Sequence, residues 1–421
     1  MTHTYGGGPA LGSQVEEAAR LQMLAGGRSA TVPMIGREVA RTVKFHAPEI
    51  VFGLGALEEA AHAVSRLGAI RPMLVTDPGL TEAGWVAELV RHLRDGGLTP
   101  VVFDAVTPNP KDHEIAAGFD RYAETGCDVL VAIGGGSVMD AAKGIAVLAA
   151  NGGAILDYRG VDKITRPIPP LVMVPSTSGT GADVSQFCIV TDTRRHTKVT
   201  IIGRALVPDV TVIDPRLLTT MPDWLNAATG LDALTHGVEA FVSLAHNPLT
   251  DNHALRAVGM VTHTLAGTMR RPAELSERVI MAQASLEAGL AFTNAILGAA
   301  HAMSHQVGGL TDQPHGVING ILLPHVVRFN ATADPTPYVA IAASIGLEEQ
   351  HAPPAEAAAA VADRIAELGR VVGVPRRLAE LGVREEDLST LADNALTDAC
   401  MATNPRPATH AQMVELFRAA L

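Results

Sequence analysis

The stretch CDVLVAIGGGSVMDAAKGIAVLAA, residues 127–150, restricts the fold more than any other part of this chain. An apolar run of strand length meets Gly134, Gly135, Gly136 and Ser137, and a helical pattern follows. This is the pattern of a buried strand, a tight turn and a helix. Three glycines let the backbone approach a ligand closely and take positive φ without strain. The helix that follows aims its unsatisfied N–H groups and positive dipole end back at the turn, which suits a pyrophosphate. The turn is not the GxGxxG fingerprint, and a β–α turn with no ligand would show the same residues.

The surrounding chain extends the pattern. RPMLVTD (71–77), TPVVFDAV (99–106) and PPLVMVPST (169–177) are further β-rich runs ending in turn residues. Helical segments such as TEAGWVAELVRHLRDGG and KDHEIAAGFDRYAETG lie between them. That alternation predicts a parallel sheet with crossover helices. After VPDVTVIDPRLLTTMP (207–222) Ala- and Leu-rich helical periodicity takes over to the C-terminus. We therefore expect a 43–217 α/β dinucleotide-binding domain and a 218–421 all-helical domain. Residues 1–42, Gly-rich and then weakly amphipathic around Val15–Leu24, read as an extension, partly disordered or used in oligomer contacts.

Composition excludes several classes. A net charge of −12 argues against a nucleic-acid surface, which needs clustered Lys and Arg. The longest apolar runs fall short of the roughly 18 residues of a membrane helix. Cys127, Cys188 and Cys400 are widely spaced and give neither a disulfide framework nor a zinc knuckle. The N-terminus lacks a secretory pattern. A cytoplasmic enzyme with a small-molecule substrate is the expectation.

Two more stretches bear on a nucleotide. VPSTSGTGADVS (174–185) places Ser176, Thr177, Ser178 and Thr180 at a strand end, with glycines for room. Hydroxyls at the C-terminal edge of a parallel sheet sit where open α/β folds bind nucleotides, although a plain Ser/Thr-rich loop looks the same. Asp77, ending the LVTD strand, could accept from ribose hydroxyls and repel a 2′-phosphate, or simply lie on the surface. FGLGALEE (52–59) has Glu58 where a third glycine would be needed, so we read it as a turn into a helix.

The metal-type residues come from the second half. In NAATGLDALTHGVEAF (226–241), Asp232 and His236 stand at i and i+4 on one helix face. His301 and His305 repeat that spacing, and His315 follows after the turn GGLTDQP. Ala302 occupies the position of the glutamate base in HExxH, which excludes zinc-protease chemistry. A carboxylate and several imidazoles suit Fe(II) or Zn(II), not Mg(II) or Ca(II), and exceed one ion's needs by a histidine. Any single histidine of this kind is more often a structural hydrogen bonder.

Taken together, GGGSVMDAAK, VPSTSGTGADVS, PDVTVIDP, GLDALTHGVEAF, HAMSHQVGGLTDQPHGVINGILLPHVVRFN and TNPRPAT occur in the order found in the iron-containing (group III) alcohol dehydrogenases. The chain resembles that family over about residues 43–421. The resemblance implies the two-domain architecture shared with dehydroquinate synthase. It implies metal ligation by Asp232, His236, His301 and His315, with His305 beside the nicotinamide handling a proton. It places Gly135, Gly136, Ser137, Asp140, Thr177, Thr180, Asn109 and Lys198 on the dinucleotide, Asp77 where NAD is favoured over NADP, and Phe292 and Cys400 in the substrate pocket. Asp183 in place of glutamate and Gly237 in place of alanine depart from the family pattern.

The activity so implied is reversible hydride transfer between a small primary alcohol or aldehyde and NAD, with Fe2+ or Zn2+ activating the oxygen, in a homodimer or larger homo-oligomer. The alternatives are a maleylacetate-reductase-like reductase of an activated acid, a nicotinoprotein with permanently bound NAD, a metal-dependent lyase, and a structural metalloprotein.

Overall fold

The computed structural model of the protein describes residues 44–195, 197–270 and 274–421. The N-terminal extension with its Val15–Leu24 stretch lies outside the described residues, and residues 44–421 form one compact unit. Strands β1 (Glu49–Phe52), β2 (Pro72–Val75), β3 (Val101–Phe103), β4 (Val129–Gly134), β6 (Leu171–Pro175) and β9 (Val210–Ile213) build one six-stranded sheet. Its order is β1-β9-β6-β4-β2-β3, and every pairing is parallel.

Both faces of the sheet are covered. Strand side chains alternate across the plane. Leu130 and Ala132 of β4 therefore join Met73 and Val75 of β2 and Met173 of β6 in one core. That core includes helices α4 (Asp112–Thr125) and α5 (Gly136–Asn151). Val129, Val131 and Ile133 face the other way, onto α1 (Glu59–Arg66) and α3 (Trp85–Asp95), which follows α2 (Pro78–Glu82). Two-sided burial explains why β2, β4 and β6 read as continuous apolar runs.

One part of this half departs from the alternation. FCIVTD and TKVTII pair as an antiparallel hairpin, β7 (Phe187–Asp192) with β8 (Thr197–Ile202). With the short β5 (Gly160–Val161) they make a second, three-stranded sheet. The hairpin carries Lys198 towards the helical half. FGLGALEE is a turn into a helix as expected, and the Leu57 N–H there is taken by the Asp214 carboxylate at 3.2 Å.

From Asp223 onward the described chain is helical: α6 (Asp223–Val242), α7 (Pro248–Thr264), α8 (Leu275–Ala295), α9 (Ala299–Thr311) and α10 (His315–Ala331). Then come α11 (Pro337–Ser344), α12 (Pro354–Val371), α13 (Leu388–Leu396) and α14 (His410–Ala420). Helix α6 is buried on all sides from Asn226 to Val242 and packs against α7, α8 and α10. A helix apolar all round belongs in a core. The polar residues it buries, Asp232, His236 and Glu239, therefore need partners supplied by other elements. Among the described residues no single helix is long and apolar enough to cross a membrane.

Candidate metal and dinucleotide site

The chain reverses direction across the sheet between β3 and β4, so the crevice above the ends of β2 and β4 is a topological switch point. Gly134 and Gly135 stand at that edge, and α5 begins at Gly136. The turn after β6 lies directly opposite. A Cβ on Gly135 would sit 3.1 Å from Thr177 Cγ2, and one on Gly136 2.9 Å from Thr180 Cγ2. The two polar turns thus face one another across a space that only glycine leaves open.

Asn109, Ser137 and Lys198 join this crevice in one network. Asn109 holds a left-handed backbone with φ of 58°. Its N–H donates to Ser137 Oγ at 3.0 Å, and its Oδ1 accepts from Lys198 Nζ at 2.8 Å. Burial lowers the Lys198 ammonium to about 8 against the pull of Asp312 and Asp140. Asp77 sits at the end of β2 but caps α2, accepting the Leu80 N–H at 3.0 Å. Burial pushes the Asp140 carboxyl up to about 7, against the pull of Lys143, the Ile189 N–H of β7 and Lys198. The helix of Asp140 offers the N-terminal N–H groups to the crevice.

Three of the proposed ligands converge. One ligand atom from each of Asp232, His236 and His301 lies within 4.8 Å of the other two, and all three residues are buried. Each imidazole is held by its Nδ1: His236 on the Gly179 carbonyl at 3.1 Å, His301 on Glu239 Oε2 at 2.6 Å. That leaves His236 Nε2 for the shared space and turns His301 Nε2 towards Asp232 and Asn319. The rings stack at 4.6 Å, and Phe292 stacks on His236 at 4.3 Å. Asn319 Nδ2 contacts Asp232 Oδ1 at 2.8 Å and His301 Nε2 at 3.1 Å, while its Oδ1 is buried without a partner.

The carboxylates make this a place for positive charge, and a metal cation here would displace a proton from His301. Burial holds His236 down to about 4, neutral and able to ligate. Burial also opposes charge on His301, but the Asp232 and Glu239 carboxylates outweigh it and raise that imidazole to about 9. Burial would raise Asp232 too, yet the surrounding imidazoles hold it below the usual carboxylate range. Buried nitrogen and carboxylate donors in this number are the chemistry of Fe(II) or Zn(II).

His315 is not in that trio. Its Nε2 lies 2.9 Å from Lys198 Nζ, and its ring meets His305 edge-on at 5.4 Å. It opens α10, whose next residue, Gly316, lies against Ala228 and Asp232 of α6. His305 is held through Nδ1 by Asp398 Oδ2 at 2.9 Å. The buried Cys400 completes that second cluster, its N–H donating to Asp398 Oδ1 at 2.9 Å. Glu239, Asn319 and Asp398 were given no role in the sequence reading. Of these, Glu239 could have been found, because it continues the Asp232–His236 face of α6 at i+7.

Comparison with known proteins places the chain in a family. The 1,3-propanediol dehydrogenase of Citrobacter freundii is 40% identical over 371 residues, 88% of this chain and 96% of that one. Alcohol dehydrogenase 4 of Schizosaccharomyces pombe is 41% identical over 381 residues, 90% of this chain and 89% of that one. The crystal structure of a 1,3-propanediol oxidoreductase superposes with a TM-score of 0.88 at 38% identity, covering 90% of this chain and 100% of that one. Residues 47–215 match the iron-containing alcohol dehydrogenases, and residues 226–421 match the C-terminal part of the Fe-containing alcohol dehydrogenase family. The chain belongs to the iron-containing alcohol dehydrogenase family.

Proposed function

We propose that this protein is an NAD-linked, metal-dependent alcohol dehydrogenase that interconverts a small primary alcohol and its aldehyde. The observation that carries the reading is the buried Asp232, His236 and His301 trio beside two facing glycine- and hydroxyl-rich turns. Fe2+ or Zn2+ bound there supplies Lewis-acid polarisation of the alcohol or carbonyl oxygen, and NAD supplies the hydride acceptor.

The chain's own residues do the rest. Asp232, His236 and His301 hold the cation, with His315 as fourth ligand, a role supported by the packing of its neighbour Gly316 on Asp232. Gly135, Gly136, Ser137, Thr177, Thr180, Asn109 and Lys198 receive the dinucleotide, together with the start of the Asp140 helix. His305, its Nδ1 fixed by Asp398, presents Nε2 to take the alcohol proton. Phe292 and Cys400 wall the pocket with apolar surface, and water is excluded because His236, His301 and His305 are at most 7% exposed. Fixed charges act more strongly in such a dry site. Relatives named for propanediol, alcohol and lactaldehyde turnover favour this reading over the reductase, lyase and structural alternatives.

The finer points belong to the same proposal: NAD preferred over NADP, a 43–217 and 218–421 division of labour, and a cytoplasmic homo-oligomer. The test follows NADH formation with a panel of small alcohols and diols on anaerobically iron-loaded protein, with metal analysis alongside. His236→Ala is expected to lose bound metal and turnover together. Full metal content and full turnover in that variant would overturn the ligand assignment.

A further inference from the structure

Helix α6 carries Asp232, His236 and Glu239 at i, i+4 and i+7, so the three side chains share one face. Glu239 is 2% exposed and reaches the N-terminus of α9. That terminus has no side-chain cap of its own on Gly298. Glu239 Oε1 accepts the Ala300 N–H at 2.6 Å, and Asn404 Oδ1 accepts the Ala299 N–H at 3.0 Å. A carboxylate is favoured at the positive end of a helix. The other oxygen, Oε2, lies 2.6 Å from His301 Nδ1.

We infer that Glu239 is the positioning residue that fixes the tautomer of His301 for metal ligation. With both oxygens acting as acceptors, His301 must carry its proton on Nδ1. A cation entering beside Asp232, whose Oδ1 lies 3.7 Å from Nε2, would displace the proton from Nε2 and meet its lone pair, while Glu239 keeps the proton on Nδ1. A carboxylate behind an imidazole ligand also makes that ligand more basic. Asp232 and Glu239 together supply two buried negative charges, which balance a buried dication without recruiting a third carboxylate. The inference rests on the metal reading above and names the residue that holds one of its ligands.

Glu239→Gln isolates the effect. Its carbonyl oxygen can still cap Ala300, and flipping the amide would set two donors against each other there. The amide nitrogen must therefore face His301 Nδ1 and donate to it. That forces the proton of His301 onto Nε2, where no lone pair remains for a cation. The probe is Co2+, measured by chelator competition and by its visible absorption. Glu239→Gln should bind Co2+ about 10- to 100-fold more weakly than wild type, with an altered band, while the metal-free variant keeps wild-type circular dichroism. Wild-type affinity and an unchanged band would overturn the inference.

If the variant fails to fold, 15N NMR of zinc-loaded wild type decides instead. An Nδ1-protonated His301 supports the inference, and an Nε2-protonated one refutes it. Failure of the underlying reading is distinguishable, because then wild type itself binds no Co2+ and His301→Ala leaves uptake unchanged.

Discussion

Gly316 is where the helical half can least afford a side chain. It is the second residue of α10, packed against α6 at the level of Asp232. A Cβ built there would sit 1.9 Å from the Ala228 carbonyl oxygen, 2.5 Å from the Ala228 carbonyl carbon and 3.2 Å from Asp232 Cβ. An ordinary contact is roughly 3.5 Å, so Gly316→Ala must drive the two helices apart by about 1.6 Å at that point. The obstacles at Ala228 are backbone atoms and cannot swing aside, which puts the cost near the top of the overpacking range, about 3 kcal/mol. At about 2 cal/mol/K per residue over a chain of this size, that is a fall in Tm of about 4 °C.

The displacement also carries His315 and Asn319 away from Asp232. Misplacement by about 1 Å typically costs on the order of 100-fold in rate, so turnover should fall far more than stability. Gly369→Ala is the control. It lies inside α12 with nothing within 4 Å of the added Cβ. It should stabilise by about 0.5–1 kcal/mol, since glycine is the poorer helix former. Thermal unfolding and NADH formation on the two variants decide the matter. A Gly316→Ala variant with wild-type Tm and turnover would show that the α6–α10 contact does not hold the site together.

Other perturbations test separate parts of the structure. Burial pushes the Asp183 carboxyl up to about 6 from 3.8, against the pull of its own N–H and of Lys143. The folded protein therefore binds that proton more tightly than the unfolded chain. Its contribution is fully present below about pH 4 and is lost as pH rises through 6, by about 3 kcal/mol. Asp183→Asn should raise Tm at pH 8 and match wild type near pH 4, and the opposite pH trend would refute the assignment. Asp77→Ala removes the α2 cap, costing about 1 kcal/mol, and should raise kcat/KM for NADP relative to NAD by about tenfold or more. An unchanged coenzyme ratio would take Asp77 out of the ribose site.

Legibility in the sequence followed the range of the interactions. The central strands were readable because burial on both faces makes them continuous apolar runs, as in VLVAIG and LVMVP. The β7–β8 hairpin was not, because its partner strands pair outside the main sheet and follow none of its alternation. Strand β1, four residues with exposed ends, carries too little pattern to stand out. On the site, Asp232 and His236 were readable as a pair because i and i+4 meet on any helix. His301 and His305, spaced identically, do different things because their carboxylates, Glu239 and Asp398, lie 62 and 93 residues away in the chain.

By itself, then, the sequence determined what short-range physics can encode: strand, glycine turn and helix units, the parallel α/β half, the helical half, and one face of α6 bearing metal-type residues. Its ordered motifs also identified the family. Tertiary structure alone decided which imidazole nitrogen each partner occupies, that Thr177 and Thr180 face Gly135 and Gly136, and that His315 lies against Lys198. Those outcomes depend on how separate elements pack, and side chains tens of residues apart are brought together only when burial of their helices and strands closes the core between them.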